Sequence, residues 1–451
     1  MDALLQLFGA VLVFTYHCFD RVVINGYISV LSRPGNVVYF FHEVVGVARI
    51  TKEVLMSRTR RYQNWVEAFA RNHSVPIEWA EKGVRKEDAV RPYLRRLERK
   101  GEFGVYFIYK SMEQGTTFRS VDPKYATSDP DYRILKKQRS RFTHYYFYIR
   151  DETLGPIIVR VASFLPFHTT TWLNGHNVIE QQLRRAGIAF RKNDNAFTSV
   201  SDPAALQAAA DRLTPQQIGQ RLDYWIFVLG PKFSARERKA MGLHRFYAIA
   251  QVEYCHNFVF RRNWPIRRLF ERACELGLAR LTAQKIALIF GWRLTRAFKG
   301  KLHSVLERVD HGHHVLRAYF KNAFVKQYEK LRTFLRMEVC SNHLPDLRIK
   351  KSLENLPAVR QAARAILDRF ATLQAPTFNV HFDFPLLQRL ALPIAHGKMR
   401  LPGIKLHDTR IIRLMETLLH AGTCLDGWTS AFLHHAIVQT YTLRKYTINQ
   451  L

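Results

Sequence analysis

Acidic residues are scarce in this chain: 37 Asp and Glu stand against 69 Lys and Arg, a net charge of +32 over 451 residues. Cysteine is scarcer still. Cys18, Cys255, Cys274, Cys340 and Cys424 are scattered, odd in number and form no CxxC pair. That pattern argues against a disulfide framework or a zinc knuckle and fits a reducing cytoplasm. No apolar run reaches the roughly 20 residues of a membrane span. The opening, "MDALLQLFGAVLVFTYHCFDR", loses its apolar character at Tyr16–His17 and lacks the basic start of a signal peptide, so it reads as a buried first element. A Walker A loop, GxSxG, HExxH and a GxGxxG in strand–helix context are all missing. The commonest nucleotide-hydrolysing, serine-hydrolase, zincin and dinucleotide-binding signatures are therefore absent. No internal repeat or low-complexity segment interrupts the chain.

What is present is a globular, basic sequence. Hydrophobic residues make up 47%, enough to build cores, and the length suggests two to four domains. The positive charge is spread through the chain instead of sitting in a tail. A compact body so charged repels itself unless a polyanion neutralises it. Nucleic acid is the commonest such partner, and an anionic membrane surface the alternative.

Hydrophobic spacing predicts a helix over 51–71, with Val54, Leu55, Trp65, Val66 and Phe69 inward and Arg58, Arg60 and Arg61 in solvent. A second, basic helix over 84–100 stops at Gly101. The turn-rich "SVDPKYATSDPDYR" at 120–133 reads as a domain boundary. "HYYFYIR" and "PIIVRVASFLPF", joined by "DETLG", read as a β-hairpin. "NGHNVIEQQLRRAG" is a helix capped by Asn174 and stopped at Gly187. Further helices follow Pro203, cover 214–229, start at the Ser234/Glu237 capping box, and occupy 265–290, divided at Gly277 and restarted by Thr282. A helix at 356–374 and a Pro-bounded segment, "FNVHFDFPLLQRLALPI", precede the tail. There, helices at about 409–420 (Asp408 at its cap) and 429–441, with a third beginning at Thr447, have the layout of a helix-turn-helix start.

The densest chemistry is "HGHHVLRAYFKNAFVKQYEKLRTFLRMEVCSN", residues 311–342. Val315–Lys321 alternates, with Leu316, Ala318 and Phe320 on one face and Arg317, Tyr319 and Lys321 on the other. Thr333–Cys340 alternates too, with Leu335, Met337 and Val339 opposite Arg336 and Glu338. Joined by "NAFVKQYEKLR", the two form an expected antiparallel pair with one greasy face and one basic face. Arg317, Lys321, Lys326, Lys330 and Arg336 are candidate phosphate contacts, and Tyr319 and Phe334 candidate stacking groups. From Arg293 to Arg336 there are eleven Lys/Arg and three Asp/Glu. Residues 133–150 add six Lys/Arg and no acid, which brings in Lys136, Lys137, Arg139 and Arg141.

His311 and His313 are two apart, as in the metal-binding pair of HUH single-strand nucleases. In that reading Tyr319 or Tyr328 is the nucleophile and Glu338 or Asp310 a third ligand. The intervening Gly312 replaces the bulky apolar residue of that class and favours a turn that splays His311, His313 and His314, so neither metal nor cofactor is expected unless the nuclease reading holds. Weaker candidates are a phosphate site at His176, a polar loop with Arg191, Lys192 and Asp194, the neighbours Glu253, Cys255 and His256, and the pair His381/Asp383.

The stretches "SMEQGTTFR", "RSRFTHYYFYIRD", "LNGHNVIEQQLRRAGIAFRKNDNAF", "HGHHVLRAYFKNAFVKQYEK" and "LRMEVCSN" resemble an uncharacterised bacterial family of large basic proteins. The resemblance covers nearly the whole chain and implies a C-terminal winged helix-turn-helix, within whose recognition helix this chain stops. Residues 442–451 are accordingly expected to be loosely packed. The expectations are thus an α+β, multidomain protein with antiparallel strand pairs packed with helices. An N-terminal mixed helical domain would cover 1–125, a basic α+β domain 126–400, and a partial winged helix-turn-helix 401–451. The expected function is cytoplasmic nucleic-acid binding, DNA first, in the setting of a mobile or plasmid-like element. A metal-dependent single-strand nuclease or replication initiator and a non-catalytic RNA-binding protein are the alternatives.

Overall fold

Alternating apolar and polar residues dominate the strand-forming stretches, and the fold uses them in a large sheet packed with helices, an α+β architecture. The computed structural model describes residues 2–81, 83, 86–123, 132–275, 281–296, 298–308, 314–375, 384–397, 399–405, 408–420, 428–441 and 446–448. They divide into two compact units. The larger comprises Tyr16–Cys255 and Ser341–Ala362; the smaller comprises Met1–Thr15, His256–Cys340 and Ala363–Leu451.

The larger unit is built on β1 (Leu12–Ile28), β2 (Ile77–Trp79), β3 (Gly104–Val121), β4 (Ile134–Asp151), β5 (Gly155–Ala162) and β6 (Thr169–Leu173). A separate hairpin, β7 (Phe190–Asn193) and β8 (Ala196–Val200), precedes β9 (Arg245–Phe260). The sheet order is β9-β1-β6-β5-β4-β3-β2. Neighbours from β1 through β3 run antiparallel, and β2 joins β3 in parallel. The expected hairpin at 144–165 is present, but β4 begins ten residues earlier, at Ile134, and pairs along its whole length with β3. One core gathers Phe40, Phe41, Leu55, Phe118, Leu135, Phe164 and Phe167, a second Val90, Tyr106, Phe107, Tyr109 and Tyr148. Each such aromatic, fully buried, contributes about 1.5–3 kcal/mol.

The helices follow their signals closely. Lys52–Asn72 is capped by Thr51 and buries Leu55 and Val66. Lys86–Lys100 ends before Gly101, whose φ of 69° a side chain would strain. Asn174 caps Gly175–Arg185, while Thr214/Gln217 and Ser234/Glu237 form complete capping boxes.

In the smaller unit, β10 (Leu302–Arg308), β11 (His314–Phe320), β12 (Ala323–Leu331) and β13 (Phe334–Ser341) lie in that order. Here one expectation fails. The linker between the two expected strands is itself a strand: β12 pairs with β11 and separates it from β13. Val325, Gln327 and their buried neighbours alternate as cleanly as the flanking segments, and "KN" at 321–322 makes a two-residue turn, with Lys321 at φ 53°.

The tail helices Thr409–His420 and Ser430–Thr440 form as expected and pack together, with Tyr441 bonded to Glu416 and beneath Arg413. The expected third helix and the looseness of 442–451 lie almost wholly outside the described residues, and no winged helix-turn-helix is formed by the described ones. Among the described residues no helix is long and apolar enough to cross a membrane.

Candidate nucleic-acid interface

In the larger unit β3 and β4 run past their other sheet neighbours, after Lys110 and before His144, as a two-stranded ribbon whose register sets its charge. Arg119 pairs with Lys136, Phe118 with Lys137, Thr116 with Arg139 and Gln114 with Arg141. Because side chains alternate, Arg119 and Lys136 sit side by side on one face. Lys137, Arg139 and Arg141 form a row on the other, about 7 Å from one to the next. All five are exposed.

Among the described residues the flanking acids are engaged elsewhere. Glu113 is held by Arg160 at 3.0 Å and accepts the Tyr146 hydroxyl, and Asp122 is paired with Arg133. Burial alone would raise the Glu113 carboxyl; the Tyr146 hydroxyl and Arg160 outweigh it and hold it below the usual range. Burial and then the Glu113 hydrogen bond push Tyr146 up to about 12. None of the five ribbon cations has a carboxylate partner among the described residues. Lys137 also acts on His168, which burial, then Lys137, Arg245 and Arg160, hold down at about 4.

Beside the ribbon and the Lys52–Asn72 helix lies a cleft of about 680 Å³. Lys52, Arg119 and Arg141 stand among its walls, with Met56, Phe118, Phe142 and Phe164. Gly115 lets the Phe142 ring, one of the cleft walls, lie against the ribbon. A Cβ there would come within 2.6 Å of the Phe142 ring. Cations beside an apolar, aromatic lining suit a nucleic-acid strand, whose phosphates want charge and whose bases want a flat apolar surface.

The smaller unit presents a different surface. As expected, β11 buries Leu316, Ala318 and Phe320 and leaves Arg317 and Tyr319 half-buried on the other face. Cross-strand register lines up His303, Tyr319 and Phe324 in one row and Val305, Arg317 and Lys326 in the next. His303 stacks on Tyr319 with ring centres 4.8 Å apart, and Tyr319 lies 5.2 Å from Phe324.

Four other candidates do not join an exposed basic face. Phe334 and Arg336 are buried, Arg336 donating to Asn257 at 2.7 Å. Lys321 sits at the hairpin turn with its ammonium 4.2 Å from the Trp292 ring centre. Lys326 is bound to buried Glu338 at 3.1 Å, which also accepts the Tyr328 hydroxyl. β13 is buried along its full length, on both faces. Its polar residues are therefore internal, and the two-strand reading had put them outside. Lys330 is half-buried on β12.

The nuclease constellation is not assembled by the described residues. Asp310, His311, His313, His381 and Asp383 lie outside them, and only the backbone of His314 is described. Lys192, expected in a polar loop with Arg191 and Asp194, binds Glu180 at 2.6 Å. His176 does not face a phosphate: it is fully buried in the larger unit. Its Nε2 lies 3.4 Å from Cys18 Sγ, which lies 3.7 Å from Cys255 Sγ. Cys255 therefore meets Cys18 and not its chain neighbour His256. No local pattern signals this group, since its members are 158 and 237 residues from Cys18. Arg119 is absent from the sequence-based candidates because its place beside Lys136 follows only from the β3–β4 register. Comparison of the chain with protein-family models, curated proteins and solved structures gave no match.

Proposed function

We propose that this protein binds nucleic acid, DNA in the first instance, by phosphate contacts along the β3–β4 ribbon. The observation that carries the reading is the ribbon's charge: Arg119, Lys136, Lys137, Arg139 and Arg141 are exposed, and the flanking acids Glu113 and Asp122 are neutralised by other partners. Uncompensated cations in rows attract a polyanion by releasing its counterions. A twisted two-stranded ribbon is a shape that enters a duplex groove. The His303–Tyr319–Phe324 row supports an additional affinity for unpaired bases.

The test is a salt titration of binding to labelled duplex and single-stranded DNA. The wild type is compared with Lys136→Ala/Lys137→Ala/Arg139→Ala/Arg141→Ala. Removing four phosphate contacts lowers the slope of log K against log salt by about 3–4 on duplex. An equally neutralised control, Arg91→Ala/Arg95→Ala/Arg96→Ala/Arg99→Ala on the exposed face of the Lys86–Lys100 helix, keeps the wild-type slope. Equal slopes for wild type and ribbon variant, or equal losses in both variants, would overturn the reading. Tighter binding to RNA of the same sequence would redirect it to RNA.

A further inference from the structure

We propose that Cys18, Cys255 and His176 form a buried site for a thiophilic divalent cation, with Zn2+ the best fit. The three residues come from β1, β9 and the first turn of the Gly175–Arg185 helix. One donor atom from each lies within 4.8 Å of the others.

Two of the three donor spacings are those of a tetrahedral centre, and the third is under 4.8 Å. Zn–S bonds of about 2.3 Å and Zn–N bonds of about 2.0–2.1 Å place two sulfurs about 3.7–3.8 Å apart and a sulfur and nitrogen about 3.5 Å apart. The two sulfurs lie 3.7 Å apart, and Cys18 Sγ is 3.4 Å from His176 Nε2. Two sulfurs and an imidazole select zinc-like ions over Ca2+ or Mg2+, which take oxygen.

The tautomer of the imidazole is also set for the task. Nδ1 lies 3.1 Å from Asp20 Oδ1 and 3.2 Å from Asn174 Oδ1, both acceptors, so it carries the proton and Nε2 is left as the donor atom. Cys18 Sγ lies beside the ring, 3.4 Å from Nε2 and 3.8 Å from Nδ1, so binding an ion requires the imidazole to swing its Nε2 lone pair toward the sulfurs. A carboxylate on the far nitrogen of a ligating histidine is the usual outer support of a zinc site. Asp20 is itself held by Asn195. The close approach is built into the backbone. A Cβ on Gly175 would stand 2.1 Å from the Phe19 carbonyl oxygen, so only glycine lets the helix start so near β1. Cys18 is 3% exposed, and Cys255 and His176 are not exposed at all. A bound ion would therefore tie β1, β9 and the helix together away from solvent. Three protein donors leave one tetrahedral position for a water or a further donor. Binding releases the two thiol protons.

The experiment uses the full chain, purified under reducing conditions, stripped with a chelator and titrated with Co2+ and then Zn2+. The expected result is one equivalent of Co2+ with a thiolate-to-cobalt charge-transfer band and tetrahedral-intensity visible bands, displaced by Zn2+. Cys18→Ser and Cys255→Ser lose most of the charge-transfer band. Asp20→Asn leaves all three donors in place, so it keeps the band and weakens affinity about 10–100-fold; it also stands in should a cysteine variant fail to fold. No cobalt charge transfer in the wild type would overturn the site and leave a thiol–imidazole hydrogen-bond chain in the core. So would an undiminished band in a folded cysteine variant, and so would Asp20→Asn binding as tightly as wild type.

Discussion

Asp151 is the residue whose loss the larger unit tolerates least. It closes the turn between β4 and β5 and is 0% exposed. One carboxylate oxygen accepts the backbone N–H groups of Thr153 and Leu154 at 2.8 and 2.7 Å. The other accepts the Arg221 guanidinium at 2.7 Å and the Trp225 indole N–H at 2.6 Å. Asp151→Ala removes all four interactions. Breaking a buried ion pair by removing one partner costs about 3–5 kcal/mol, and an orphaned buried donor such as the Trp225 N–H costs about 1–3 kcal/mol. These overlap, because both describe the same carboxylate. Arg221 also retains Glu152 at 2.8 Å, which pulls the sum to the low end. The expected loss is about 3–4 kcal/mol. In urea, followed by circular dichroism and tryptophan fluorescence, that lowers the midpoint by about 1–2 M without changing the slope. Asp151→Asn, which keeps an oxygen for the turn, loses about half as much. Without denaturant the salt slope of DNA binding stays at the wild-type value, since the ribbon cations sit at the opposite end of β4. A loss below about 1 kcal/mol for Asp151→Ala would refute the reasoning.

Three further outcomes are expected. Gly175→Ala forces a Cβ against the Phe19 carbonyl and destabilises by about 2–3 kcal/mol, whereas Gly219→Ala, with nothing within 4 Å, is neutral or stabilising by up to about 1 kcal/mol; urea midpoints of the pair check this. His168, held at about 4 in the folded protein, takes up its proton first in the unfolded state, so its contribution is complete above about pH 6.5 and lost as pH falls toward 4. The loss is on the order of 3 kcal/mol, His168→Gln flattens it, and a polyanion bound at Lys137 moves the His168 NMR titration upward. Tyr319→Ala weakens binding of single-stranded DNA by about 1–3 kcal/mol relative to wild type, measured by fluorescence anisotropy.

Local signals were legible in the sequence because local interactions produce them. Thr214 and Ser234 announce their helices through capping boxes that close within four residues, and the 144–165 hairpin shows its β-branched and aromatic composition directly. The basic run at 136–141 was visible as charge, though its arrangement was not. That needed the β3–β4 register, which brings in Arg119. Arg336 and Glu338 read as surface residues because alternation reports two faces without saying what covers each one. The structure buries β13 on both faces, which alternation along one strand does not reveal. Cys18, His176 and Cys255 were beyond reach for the same reason: their meeting is a product of sheet order, and no pattern of 3.6 or 2 residues encodes it.

The larger unit's dependence on Ser341–Ala362 sets a timetable for synthesis. The Ile249 N–H donates to the Lys351 carbonyl at 2.7 Å, and Ala248 bridges Ser352. Arg360 bonds the carbonyl oxygens of Asp211 and Leu213, and Leu353 and Leu356 are buried. A ribosome adding roughly 5–20 residues per second delivers Lys351 about 5–20 s after Ile249. Through that interval the larger unit lacks a segment that bonds to β9 and to the carbonyls of Asp211 and Leu213. Long-range closures of this kind slow folding. A nascent chain stalled before residue 341 would therefore be more open to chaperones and proteases than one stalled after residue 362 has left the tunnel.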